Sequence, residues 1–450
     1  MIAVNPATEQ VVREVANHSP QDVARRIETA TFAWREWVRL TPAERGEKLR
    51  RAAHLLRSAK FRYARTITEE MGKPIAEAEA EIEKCAAACD HFAEHGPALL
   101  EPEAVATDAS RSCVRRDPIG IVLAILPWNY PFWQAVRFAG GALLAGNAAL
   151  VKPAPNVPGC ALEVEDLFRR AGFPEGLLSL LLIQDVAAVI RHPTVRAVTL
   201  TGSARAGAAV AAVAGSALKK TVLELGGSDP FVVLADADVA SAAEAAAAAR
   251  CQNAGQSCIA AKRIVVEVPV AERFQEAFVA AMATRVPGDP MDRACRMGPL
   301  ARLDLLEDLH RQVRSSIDAG ARLLLGGERL ARRGWFYPPT VLAGTRPGMA
   351  AFDEETFGPV AVLSVARDEE EAMALANATR YGLGASVWTA DPERGEALAA
   401  RLEAGSVFVN GIVKSDPRLP FGGVKDSGWG RELGAAGLLE FTSARAIWVK

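Results

Sequence analysis

The sequence carries no block of like charge. Lys and Arg total 52 against 54 Asp and Glu, a formal net charge of -2, so it lacks the basic footprint that a nucleic-acid partner requires. Long apolar runs are missing as well. The strongest, Ile119 to Leu126, is far too short to cross a bilayer, which excludes a helical membrane span. The opening Met-Ile-Ala-Val-Asn-Pro has no basic segment leading into an apolar one, so the expectation is a cytoplasmic chain without an export signal. Cysteine is scarce and odd in number, seven with no CxxC pair, which argues against a disulfide framework or a zinc ribbon and leaves at least one free thiol. HExxH is absent, and His91 and His95, spaced i, i+4 beside Asp90 on the helix that also carries Cys85 and Cys89, read as a solvated helix face, so no bound metal is expected. Neither GxGxxG nor a Walker sequence occurs.

What is present is length and alternation. At roughly 150 residues per domain, 450 residues allow about three structural units. Ser19-Pro20 and Thr41-Pro42-Ala43-Glu44 are helix starts, the first helix reaching about Val38 and the second about Met71-Gly72-Lys73-Pro74. A third helical pattern runs from Ile75 to about His95, before Gly96-Pro97. From Ile119 onward short apolar runs alternate with Ala-rich helical segments, the signature of βαβ units and parallel sheets. Strands are expected at Ile119–Leu126, Ala148–Lys152, Leu177–Leu182, Ala197–Thr201, Thr221–Leu225 and Phe231–Leu234. A second set is expected at Arg263–Val268, Arg322–Leu325, Ala361–Val365, Ala385–Trp388 and Ser406–Asn410. Two stacked α/β domains follow. Arg111 to Pro118 reads as polar and turn-prone, and Ala446–Lys450 as a lone strand that would pair with another subunit.

Several residues could carry chemistry. Cys258 sits in the Gly- and polar-rich turn Asn253-Ala254-Gly255-Gln256-Ser257-Cys258, just before a strand, where a thiol can be accessible and a backbone N–H can face whatever bonds to it. A small buried cysteine is the alternative. Glu224 ends an apolar strand, a setting that raises a carboxyl pKa toward the range useful for a general base, the alternative being an outward Glu on a surface strand. Asn129 follows Ile119–Leu126 at a sheet edge and could donate to an oxyanion, or serve only its turn. Leu200-Thr201-Gly202-Ser203 closes a strand and opens a helix whose N-terminus could take a phosphate. Arg137, among apolar neighbours and on one helix face with Trp133, requires an anion, either a ligand or an internal carboxylate.

Together, PWNYP at 127–131, VKPAP at 151–155, LTGS at 200–203, LELGG at 223–227, GQSC at 255–258, EETFGPV at 354–360 and PFGGVKDSGWGREL at 420–433 resemble the aldehyde dehydrogenase superfamily, over almost the whole chain and in the family's order. KPAPNVPGCAL, GQSCIAAKR and FVNGIVKSDPRLPFGG are most similar to the short bacterial NAD(P)-dependent succinate-semialdehyde dehydrogenases.

The resemblance implies an α/β fold with a Rossmann-like cofactor domain, an α/β catalytic domain and a small β oligomerisation arm. The expected boundaries are 1–99 and 119–227, with 427–440 returning, for the cofactor domain, 228–426 for the catalytic domain, and 100–118 with 441–450 for the arm. It implies Cys258 as nucleophile, Glu224 as base and Asn129 as oxyanion donor. NAD or NADP would lie on Trp128, Lys152, Pro155, Gly202, Ser203, Glu355 and Phe357. The substrate set would be Arg137, Trp133, Ser415 and Phe421, with Arg137 and Ser415 on a distal carboxylate. Pro155 stands where NAD-selective members carry a glutamate, so NADP should be tolerated, with Arg205 a candidate partner for its extra phosphate. Ala260 occupies the place of a second, redox-switching cysteine in some relatives. The expected activity is oxidation of a short carboxylated aldehyde, succinate semialdehyde first, by a homodimer or homotetramer. The alternatives are broad or glutarate-semialdehyde specificity, acyl transfer to CoA, or a silent dinucleotide-binding protein.

Overall fold

The computed structural model describes Met1–Lys450. The first two helices, Pro20–Trp37 and Pro42–Ser58, start at the capping boxes of Ser19 and Thr41. The second is shorter than expected, breaking at Ala59 before Lys60–Met71, which ends on left-handed Gly72. The helix from Ile75 instead runs on to Leu99, with Pro97 inside its last turn.

A six-stranded sheet takes the order Gly428–Trp429, Lys220–Glu224, Val195–Thr201, Ile121–Ile125, Ala148–Lys152, Leu178–Leu180. All its pairs are parallel except the first. Strand order reverses between Ile121–Ile125 and Val195–Thr201, so a crevice opens where Leu126–Asn129 and Gly202-Ser203 leave the sheet.

The second sheet has seven strands in the order Arg322–Leu325, Thr340–Ala343, Val360–Ala366, Ala261–Glu267, Asp229–Val233, Gly384–Trp388, Ser406–Val409, parallel except for its first pair. Alternate residues enter separate cores: Phe231, Val233, Ile264 and Val266 face one side, Val232 and Val265 the other. Both faces are therefore covered, as a parallel sheet requires.

The terminal strand corrects an expectation. Thr442–Val449 pairs along its whole length with Arg111–Pro118 of the same chain, and Glu103–Ala104 adds a third strand. Arg111–Pro118 is thus a strand and not a turn-prone linker. Its polar composition hid it, because this small sheet is largely solvated on both faces. No helix is long and apolar enough to cross a membrane.

Candidate active site

The helix Pro131–Leu144 is buried at all 14 positions, so its polar side chains must find partners inside the protein. Tyr130 at its N-cap supplies no side-chain cap. A carboxylate from the neighbouring helix Ile75–Leu99 does this instead: Glu81 Oε1 accepts the N–H groups of Phe132 and Trp133 at 3.0 and 2.9 Å. The same carboxylate pairs with buried Lys73. This fixes the helix that carries Trp133 and Arg137, together with the turn that carries Asn129.

The segment leading to Cys258 is wound against its preferences. Asn253, Ala254 and Gly255 have φ of 52°, 52° and 74°, and a Cβ on Gly255 would overlap the Gly358 backbone. Surrounding bonds hold it. Asn253 N–H donates to Glu77 at 2.8 Å, Asn253 Nδ2 to Asn129 O at 2.9 Å, and Arg250 Nη2 to Gly255 O at 2.6 Å. Lys262, itself buried, donates to the carbonyls of Ser257, Cys258 and Ala260 at 3.1, 2.8 and 3.3 Å.

Cys258 is half-buried, and desolvation pushes its thiol up to about 12 against the pull of Arg137 and Lys262. Asn129 Nδ2 donates to Gln256 O at 3.1 Å, which leaves its second N–H free beside the turn that carries Cys258.

Cys258, Arg137, Trp133, Ser415 and Phe421 line one cavity of about 170 Å³, small against the roughly 300–1,000 Å³ of pockets for drug-sized ligands. Glu77, Glu81 and Lys84 of the Ile75–Leu99 helix form another of its walls. Glu224 lies outside this wall, behind Gly422, where an added Cβ would come within 2.8 Å of Glu224 Oε1. Both Glu224 oxygens are buried without a hydrogen bond. Burial first, then the charge of Glu432, raises its carboxyl well above the usual range, while Arg137 and Arg431 oppose the shift.

Arg137 has found an internal anion. Its Nε contacts the Glu432 carboxylate with both side chains buried, while Nη2 makes no hydrogen bond. Glu432 was not singled out in the sequence, and no periodicity links position 432 to 137. Lys84, Lys262 and Glu77 were also missed. A lysine among apolar or Ala-rich neighbours was the available signal for the two lysines.

The remaining candidates gather at the crevice of the six-stranded sheet and its surroundings. Lys152 ends its strand half-buried, with its ammonium pKa lowered by desolvation. Ser203 caps the helix Ala204–Ser216, and Arg205 in the first turn is exposed. Pro155 is exposed. Trp128 meets Phe357 edge-on at 5.7 Å, and Glu355 accepts the Gly227 N–H at 3.0 Å.

The family model described as "Aldehyde dehydrogenase family" matches residues 1–447. The chain is 48% identical over 449 residues to the succinate semialdehyde dehydrogenase [NAD(P)+] Sad of Escherichia coli K12, covering 99% of this chain and 97% of that protein. It is 47% identical over 448 residues to a probable succinate-semialdehyde dehydrogenase [NADP(+)] of Synechocystis, covering 99% of each. The crystal structure of succinic semialdehyde dehydrogenase from Streptococcus pyogenes in complex with NADP+ superimposes with a TM-score of 0.97 at 35% identity, covering 100% of this chain and 99% of that one. The turn that presents Cys258, the two α/β sheets and the paired terminal strand are those of one fold, and the chain belongs to the aldehyde dehydrogenase family.

Proposed function

We propose that the protein oxidises succinate semialdehyde to succinate with NAD+ or NADP+, using Cys258 as nucleophile. One observation carries this reading: Cys258 and the cationic, polar pair Arg137 and Ser415 share one small cavity. An aldehyde at the sulfur would leave its far end among groups that bind an anion. Identity of 44–48% to succinate-semialdehyde dehydrogenases supports the same choice.

The residues at the sheet crevice fit a dinucleotide. Lys152 can donate to ribose hydroxyls, Gly202-Ser203 and the helix N-terminus to a phosphate, and Glu355 can accept from a hydroxyl. Trp128 and Phe357 offer an aromatic wall. With exposed Pro155 in place of a carboxylate, nothing at that position repels a 2'-phosphate, and Arg205 is free to meet one. When bound, the nicotinamide supplies a hydride acceptor.

The chain's own groups do the rest. Arg137 and Lys262 favour loss of the Cys258 proton, and the thiolate adds to the carbonyl. The oxyanion lies between the free Asn129 N–H and the Cys258 N–H. Its collapse expels hydride and leaves a thioester on sulfur. Glu224, once ionised, takes a proton from the water that releases the acid.

The three-stranded sheet of Thr442–Val449, Arg111–Pro118 and Glu103–Ala104 is exposed on both faces and open along its terminal strand, with Trp448 52% exposed. We assign it as the oligomerisation arm of a homodimer or homotetramer, with 1–99, 119–227 and 427–440 as cofactor domain and 228–426 as catalytic domain. A reducing cytoplasm suits its seven free thiols. The test crosses NAD+ and NADP+ with succinate semialdehyde, glutarate semialdehyde and butanal in a spectrophotometric assay. Preference for succinate semialdehyde is expected; equal rates with butanal would overturn the substrate assignment.

A further inference from the structure

The cationic wall of the substrate cavity does not have the charge that its arginine suggests. Arg137 is already matched by Glu432, and Lys73 by Glu81, so neither pair presents net charge to a ligand. Glu77 is tied to the Asn253 N–H, and burial pushes its carboxyl up to about 7. Lys84 is different. It lines the same cavity, forms no ion pair, and gives its one hydrogen bond to Ser415 Oγ at 2.7 Å. Its ammonium stands 4.2 Å from the Trp133 ring centroid. Ser415 is buried, and after accepting from Lys84 its hydroxyl still has a proton to donate.

We propose that Lys84 supplies the net positive charge that selects a carboxylated aldehyde, with Ser415 and Arg137, which line the same cavity, adding hydrogen bonds to the same carboxylate. This rests on the substrate reading above and names the residue that carries its specificity. Geometry favours the assignment. Glu77 touches the nucleophile turn, and Lys84 is seven residues further along the same helix, roughly 10 Å along its axis. Helical side chains lean toward the N-terminus, and the long Lys84 stem carries its ammonium to Ser415 and the Trp133 ring on the cavity wall, apart from the turn that Glu77 touches. Loss of the ion pair that Arg137 already makes is not needed for binding.

The amine also has a signature in pH. Burial, with Arg137 adding to it, pulls Lys84 down to about 8, while Glu81 and Cys85 of its own helix pull the other way and Lys73 adds to the lowering. From the loop, Ser415 and exposed Lys414 complete its surroundings. The ammonium form binds a carboxylate and the amine does not. Selectivity is therefore present below about 8 and fades above it.

The experiment measures kcat/KM for succinate semialdehyde relative to butanal, with saturating cofactor, in wild type, Lys84→Met, Lys84→Arg and Lys414→Met. Titration of Cys258 and Glu224 acts on both aldehydes and cancels in the ratio. Lys84→Met should lower the ratio roughly 10- to 100-fold, the loss expected for a hydrogen bond to a charged group, through KM of the carboxylated substrate. Lys84→Arg should restore most of it. In wild type the ratio should fall as pH rises through about 8, and in Lys84→Arg it should stay flat there. If Lys84→Met does not fold, these two pH profiles decide alone. A ratio unchanged in Lys84→Met, a loss confined to Lys414→Met, or a flat wild-type profile overturns the proposal. Absence of any preference in wild type would overturn the substrate reading instead.

Discussion

Glu432 lies against Arg137 with both side chains almost fully buried, 4% and 2% exposed, and its charge also bears on Glu224. Three ionisable groups thus share one buried compartment next to the cavity that holds Cys258. Arg431 completes it, spending Nη1 on the carbonyls of Gly423 and Gly430 at 3.0 and 2.7 Å. The protonation of the candidate base is set by this group as a whole.

Glu432→Gln removes one negative charge from beside Glu224. The Glu224 carboxyl should then ionise more easily, because Glu432 is second only to burial in raising it. The acidic limb of the kcat profile is expected to move to lower pH, read from steady-state rates between acid and neutral pH.

Arg137→Ala works in the other direction. It leaves Glu432 and Glu224 facing each other without the guanidinium between them, and removing one partner of a buried pair costs about 3–5 kcal/mol. Urea unfolding should show that loss, and kcat/KM should fall for both aldehydes, further for succinate semialdehyde, whose carboxylate also loses the Arg137 side of the cavity. A defect confined to the carboxylated substrate would mean that the ion pair carries little of the residue's importance.

Lys262→Met strips three carbonyls of a charged donor. Stability should drop by about 2–3 kcal/mol, in keeping with hydrogen bonds to a charged group. Loss of that cation also raises the Cys258 thiol further. Alkylation of Cys258 by iodoacetamide at fixed pH is expected to slow by about tenfold, followed by peptide mass spectrometry.

Glu224→Gln keeps the shape of the proposed base and removes its ability to take a proton. One equivalent of reduced cofactor per site should appear rapidly, followed by a steady rate lower by about 10²–10⁴. Intact-mass analysis of the quenched enzyme should find the acyl group on Cys258. An undiminished steady rate would remove Glu224 from the base role.

The sequence was most informative where burial is uniform. Ala148–Lys152 falls where its apolar run places it, and Ile121–Ile125 and Gly384–Trp388 agree with the expected strands to within two residues. Thr340–Ala343 escaped because Pro338-Pro339 before it reads as a turn, yet the four residues are fully buried between neighbours. Arg111–Pro118 escaped for the opposite reason, since a solvated strand carries no apolar alternation. In the site, Cys258, Asn129 and Glu224 could be picked out from short local settings and motifs. The pairs Arg137–Glu432 and Lys84–Ser415 could not, because each joins segments far apart in sequence that only the fold brings together.

Gly428–Trp429 lies beside Glu224 as the last strand of the six-stranded sheet, and Thr442–Val449 closes the small one. Both follow Asn129, Glu224 and Cys258 in the chain. A ribosome working from the N-terminus therefore translates the amide, the carboxylate and the sulfur before the strand that flanks Glu224 emerges. A nascent chain holding all three has no finished compartment in which to use them until Gly428–Trp429 has joined the sheet.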